Sequence, residues 1–213
     1  KDVMAHELAH GVIEYGPGLR YQNQSGALNE SYADVFGAMV DRDDWLVGEG
    51  IIQGGGFLRS LASPEAGGQP AHMRDFRNLP NNEEGDNGGD HINSGIPNRA
   101  FYLLAEGLSA EGLGESVGKG VAEQIAYQTM VALGRESDFA AAAVQMLLTA
   151  QNLFGTESPE AQAVVEAWRG VGIELGEAEE VPEAPGEEMG PTIPRAPEYE
   201  LALGDDILIA LYP

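Results

Sequence analysis

Apolar positions in the first 172 or so residues gather into helical stretches separated by turn-forming residues. One helix is expected over about residues 3–15, closed by Gly16-Pro17-Gly18. A second is expected over about 27–40. A long segment rich in Gly, Pro and Asn then runs to about Gly95 and reads as loop. Three further helices follow near 98–106, 117–133 and 139–153, and a last one near 159–169. There, Ser158-Pro159 supplies a cap followed by proline in the first turn. Residues 140–148 are apolar nearly all round, so their helix is expected to be the most buried. The fold class is therefore mainly α, with long loops. The pattern changes past Gly172. Residues 175–197 are rich in Glu and Pro and read as an acidic linker that buries too little to offset its ordering entropy. Residues 198–213 turn β-prone, either as the first strand of a further module or as a tail that docks back on the helices.

Candidate chemistry sits on the first two helices. His6-Glu7-Leu8-Ala9-His10 places two imidazoles four residues apart, hence on one helix face, with Glu7 beside them. This is the zinc-hydrolase pattern, with two nitrogen ligands and a glutamate as general base toward the attacking water. Two ligands are too few for zinc. Glu30 offers a third, in Gly26-Ala27-Leu28-Asn29-Glu30-Ser31-Tyr32-Ala33-Asp34, where Glu30 and Asp34 again share a face. A His₂Glu set with its fourth position open is the catalytic form of zinc coordination.

Three segments, in order, extend the pattern: residues 2–11 around the two histidines, 26–37 around Glu30, and 86–96, Asp86-Asn87-Gly88-Gly89-Asp90-His91-Ile92-Asn93-Ser94-Gly95-Ile96. Together they resemble the thermolysin family of secreted neutral zinc metalloendopeptidases, and the resemblance runs from Lys1 to about Gly172. It implies the helical half of a zincin catalytic domain (residues 1–174) within a complete protein that is α+β. It implies Zn²⁺ on His6, His10 and Glu30, with Asp34 hydrogen-bonding the outer nitrogen of His6. Glu7 would take the water's proton and pass it to the leaving amine. Tyr21 and His91 would donate to the oxyanion, with Asp86 orienting His91. Arg59 matches the family's substrate-carbonyl arginine, a role compatible with an ion pair to Asp34. Val3, Val47, Ile51 and Leu58 match its pocket for the residue after the scissile bond, and all are apolar, so a bulky hydrophobic residue is expected there. Secretion follows from the same resemblance. A β-rich amino-terminal half would form the other wall of the cleft. The sequence opens at Lys1, so it is expected to be a piece of a longer protein.

Asp2, Asp41, Asp44 and Glu49 match carboxylates of the family's calcium site, and hard oxygen donors suit Ca²⁺. The match is incomplete, because Leu46 stands where thermolysin has a Glu; the alternative is an ordinary acidic surface. Of the four histidines, His72 alone lacks a chemical assignment and reads as structural or superficial. Composition limits the partners. Across 213 residues there are 11 Lys and Arg against 35 Asp and Glu, a formal charge of -24, and no cysteine. Without a basic surface to displace counterions, nucleic acid is excluded as a partner. No apolar run approaches the roughly twenty residues that span a bilayer. Peptides or proteins as substrates are what the family resemblance implies. Two other readings stand beside the peptidase. One is a zinc- and calcium-binding helical domain inactive for want of half its cleft; the other is an acidic binding module whose tail is the functional part.

Overall fold

The computed structural model describes residues 1–175; the expected linker and the β-prone stretch at 198–213 lie outside them. The described part is mainly helical, as the apolar pattern implies. Helix α1 (Asp2–Tyr15) and helix α2 (Asn23–Val40) pack along one another. Two short strands, β1 (Leu46–Val47) and β2 (Arg59–Ser60), pair antiparallel, with Val47 opposite Arg59. Then come α3 (Asp86–Asn93), α4 (Gly95–Tyr102), α5 (Leu108–Glu111), α6 (Lys119–Ala132), α7 (Phe139–Phe154) and α8 (Pro159–Gly170).

Three expectations need correction. The segment read as loop up to Gly95 contains α3, whose Gly-rich, polar sequence hides any helical period. The helix expected at 98–106 starts earlier and ends later. α4 runs through a π-helical turn at Leu103–Gly107 directly into α5. The most buried helix is α2, not the one containing residues 140–148. In α7, Val144 and Leu148 are more than 40% exposed, because its inward face is Phe139, Ala142, Ala143, Met146, Thr149 and Ala150. α2 instead is covered on all sides, with every residue from Ser25 to Val35 buried.

The core explains this placement. Leu28, Ala33, Val35 and Ala38 of α2 meet Ile13 of α1, Ile96 and Phe101 of α4, Ile125 and Met130 of α6, and Trp168 of α8 in one apolar cluster. Each large side chain fully buried there contributes about 1.5–3 kcal/mol. Local signals fix the ends. Asp138 caps α7 by accepting from Ala141 N at 2.8 Å, and Ser158 caps α8 from Ala161 N at 3.1 Å, ahead of Pro159. α1 buries Asp2, His6, Ala9 and Ile13 along one stripe. Its opposite stripe, Met4, Leu8, Val12 and Tyr15, is apolar yet 51–94% exposed. His72 caps a short 3₁₀ turn by accepting from Arg74 N at 3.1 Å, a structural role.

Candidate active site

Helical spacing brings His6 and His10 over α2, and α2 turns Glu30 up between them. The two Nε2 atoms stand 3.0 Å apart; His6 Nε2 is 3.5 Å and His10 Nε2 3.4 Å from the Glu30 carboxylate. One donor atom from each of the three lies within 4.8 Å of the others. Glu30 is fully buried, and its Oε2 has no hydrogen-bond partner. A buried carboxylate oxygen left unpaired is costly unless a cation faces it.

Each imidazole is held from behind. His6 Nδ1 meets Asp34 Oδ1 at 2.9 Å. Asp34 is itself fully buried and receives Arg59 Nε on both oxygens, at 2.9 and 2.8 Å, and Asn98 Nδ2 at 2.8 Å. Burial alone would raise its pKa, but His6 and Arg59 outweigh that and hold the carboxyl below the usual range. His10 Nδ1 meets Asn29 Oδ1 at 2.7 Å, and Asn29 Nδ2 donates to Leu19 O at 3.3 Å. Fixing the outer nitrogens leaves both Nε2 atoms aimed at one point.

The far side is made by α3 and the segment before α2. Asp86, Asn87, Gly88 and Gly89 all have left-handed backbone, with φ between 51° and 94°. Gly88 must be glycine on two counts, since a Cβ there would also collide with Asn23. This reversal folds Asp86 back over its own helix, where Oδ2 accepts from His91 N and Oδ1 from Nδ1, each at 2.7 Å. His91 Nε2 then stands 3.2 Å from the Tyr21 hydroxyl, which also donates to Glu30 Oε1. Burial and the Glu30 charge raise the Tyr21 pKa well above its ordinary value, so its proton stays on.

An open cleft of about 720 Å³ lies over this floor, lined by His6, Glu7, His10, Tyr21, Glu30 and His91 from the sequence-identified set. The structure does not bring the remaining residues into that lining. Arg59 sits behind His6, its Nη2 3.5 Å from His6 Nδ1. Val47 is buried core and Val3 half-buried, while Ile51 and Leu58 are exposed. Asp2, Asp41 and Glu49 cluster with one oxygen each inside 4.8 Å, and Glu49 Oε2 is buried without a partner. Asp44 is not brought to them; its Oδ1 accepts from Leu46 N at 2.8 Å. Sequence reasoning missed Asn29, Asn98 and the buried Asp90, along with Glu14, Arg20 and Arg135 in the cleft.

Fold and site together define a helical domain built round a two-histidine, one-carboxylate constellation. The chain belongs to the thermolysin metallopeptidase family, whose alpha-helical domain model matches residues 17–173. Among its relatives, bacillolysin of Brevibacillus brevis is 46% identical over 177 residues, 81% of this chain and 33% of its own. The neutral protease NprE of Bacillus pumilus is 42% identical over 81% of this chain and 54% of its own. The solved precursor of protealysin, a metalloproteinase from Serratia proteamaculans, superimposes with a TM-score of 0.66. It is 42% identical, over 81% of this chain and 57% of that one. The chain thus spans about a third to about half the length of these proteins.

Proposed function

We propose that the complete protein is a secreted zinc-dependent endopeptidase and that this chain supplies the metal-binding floor of its cleft. The observation that carries the reading is the convergence of His6 Nε2, His10 Nε2 and the partnerless Glu30 Oε2 beneath an open cleft. The donor set suits zinc, which when bound acts as a Lewis acid and acidifies water to a pKa of about 7.

The chain's own residues perform the proton work. Glu7 lines the cleft one position after His6 and takes the proton of the attacking water, then delivers it to the leaving amine. Tyr21, kept protonated by Glu30 and burial, and His91, oriented by Asp86, donate hydrogen bonds where negative charge develops on the peptide oxygen. Arg59 grips a substrate carbonyl from the His6 flank. Beside it, Val3, Val47, Ile51 and Leu58 favour a bulky hydrophobic residue after the scissile bond. The β1–β2 pairing of Val47 with Arg59 supports grouping these residues.

Asp2, Asp41 and Glu49 hold Ca²⁺ where α1 begins and α2 ends. The unpaired buried Glu49 oxygen supports this, and hard carboxylate oxygens fit calcium. The exposed stripe of Met4, Leu8, Val12 and Tyr15 receives the β-rich amino-terminal half, since apolar area of this kind marks a contact surface.

The test is removal and return of metal from the complete protein. A transition-metal chelator should abolish cleavage of a peptide with Leu or Phe after the scissile bond, and zinc should restore it. Cleavage that persists after zinc has been removed refutes the reading. Calcium-selective chelation should lower the melting temperature without removing zinc; an unchanged melting temperature refutes the calcium assignment.

A further inference from the structure

In a chain this acidic, two arginines stand on one wall of the cleft, Arg20 and Arg135. Far apart in sequence, they are fastened together by backbone. Arg20 N donates to Arg135 O at 2.9 Å. Ser25 Oγ, buried in the first turn of α2, donates to the carbonyls of both residues, at 3.2 Å in the case of Arg135. The turn carrying Arg135 is closed by Gly134 N donating to Ser137 Oγ at 3.0 Å, and Gln24 holds the following helix by accepting from Phe139 N at 2.9 Å. The backbone beneath both side chains is therefore fixed.

Their charges are not equally committed. Arg20 pairs with Glu136 at 3.1 Å, both exposed. Arg135 makes no ion pair among the described residues. The other charged groups lining the cleft are Glu7, Glu14, Glu30 and the histidines. Glu7 and Glu30 already have roles, and Glu14 lies on α1, one turn past His10. Arg135 is therefore the uncommitted cation of the cleft, and its planar fork matches a carboxylate.

Position fixes which part of a substrate would meet it. Arg59 lies on the flank of His6, outside the cleft lining. Arg20 directly precedes Tyr21 and is bonded through its backbone to Arg135, which puts both on the Tyr21 side of the cleft. With the residue after the scissile bond on the His6 flank, the preceding residues run along the other.

We propose that Arg135, with Arg20 beside it, forms a subsite selecting an acidic side chain in the part of the substrate that precedes the scissile bond. The proposal rests on the peptidase reading and names a substrate class for it.

The experiment uses the complete protein and quenched fluorescent peptides that are identical except for one position. Glu, Gln or Lys is placed in turn at each of the three residues before and the three after the scissile bond. Chelator-sensitive cleavage of the Gln peptides tests the peptidase reading by itself; the ratio of kcat/KM for Glu over Gln tests the subsite. At low salt the ratio should reach about three- to fivefold at one position before the bond, the size expected of an exposed ion pair. It should decline as salt screens the pair. Arg135→Glu should invert the preference toward Lys at that position. A ratio of one or below in the native protein, acid preference only after the bond, or a ratio unmoved by Arg135→Glu would each overturn the proposal. The native ratio and its salt dependence need no variant, so the test survives misfolding of Arg135→Glu.

Discussion

His6 and His10 differ in what holds them from behind. His6 leans on a buried carboxylate that also carries Arg59 and Asn98, whereas His10 leans on the neutral amide of Asn29. That amide is in turn tied to Leu19 O, so it cannot rotate freely. Asn29→Ala should therefore weaken zinc binding by about 10–100-fold, the usual cost of losing a ligand's outer hydrogen bond. Competition with a chromophoric chelator measures it; unchanged affinity would mean that Asn29 only packs. At this scale the two histidines and the two carboxylates of α2 were legible, because a helical period of 3.6 decides which residues share a face. Asn29 was not. Its partner is 19 positions away, and the contact exists only once α1 has docked on α2.

Where α2 meets α3, packing produces a group that no motif or periodicity marks. Asp90 is fully buried, neither oxygen has a hydrogen-bond partner, and it presses so closely on Gly26 that any Cβ there would collide with it. Burial, then the charge of Asp86, pushes its pKa up to about 7 from an ordinary value near 3.8; His91, Glu30 and Tyr21 are its other charged or titratable neighbours. The folded state thus binds this proton more tightly than the unfolded one. The stability that the proton confers is complete below about pH 4 and is lost as pH rises through about 7. Asp90→Asn should remove that loss. Relative to the native protein, it should be roughly neutral at pH 4 and more stable by roughly 2 kcal/mol at pH 8, allowing for water relaxing round the charge. Urea unfolding at the two pH values checks this, and an equal difference at both would contradict it. The same interface explains what was misjudged among the elements. A left-handed run through Asp86–Gly89 starts α3 inside a stretch whose composition says loop, and α2 is central although much of its buried surface is polar. Apolar content pointed to α7 instead, because composition cannot see that Val144 and Leu148 face outward.

On the scale of the whole molecule, α1 has a buried stripe and an exposed apolar one. The buried one gives Ala9 and Ile13 to the core and Asp2 and His6 to the two carboxylate clusters; the exposed one, through Met4, Leu8, Val12 and Tyr15, is uncovered. With this chain about a third to about half the length of its relatives, that stripe is where the rest of the complete protein should pack. Replacing Leu8 and Val12 together by Ser should lower the complete protein's melting temperature and its peptide cleavage, yet leave the stoichiometry of one zinc unchanged. Loss of zinc would instead indicate damage to α1 itself. Unchanged stability would mean that the stripe stays open to solvent.

The central claim is that Glu7 moves the proton while His6, His10 and Glu30 hold the ion. Glu7→Ala, made in the complete protein, separates the two roles in one experiment. Zinc content by metal analysis should remain at one per chain, because Glu7 lies outside the trio of converging donors. Peptide cleavage should fall by about 10²–10⁴-fold, the range for loss of a positioned general base. A variant that keeps its zinc and still cleaves at the native rate would contradict the account.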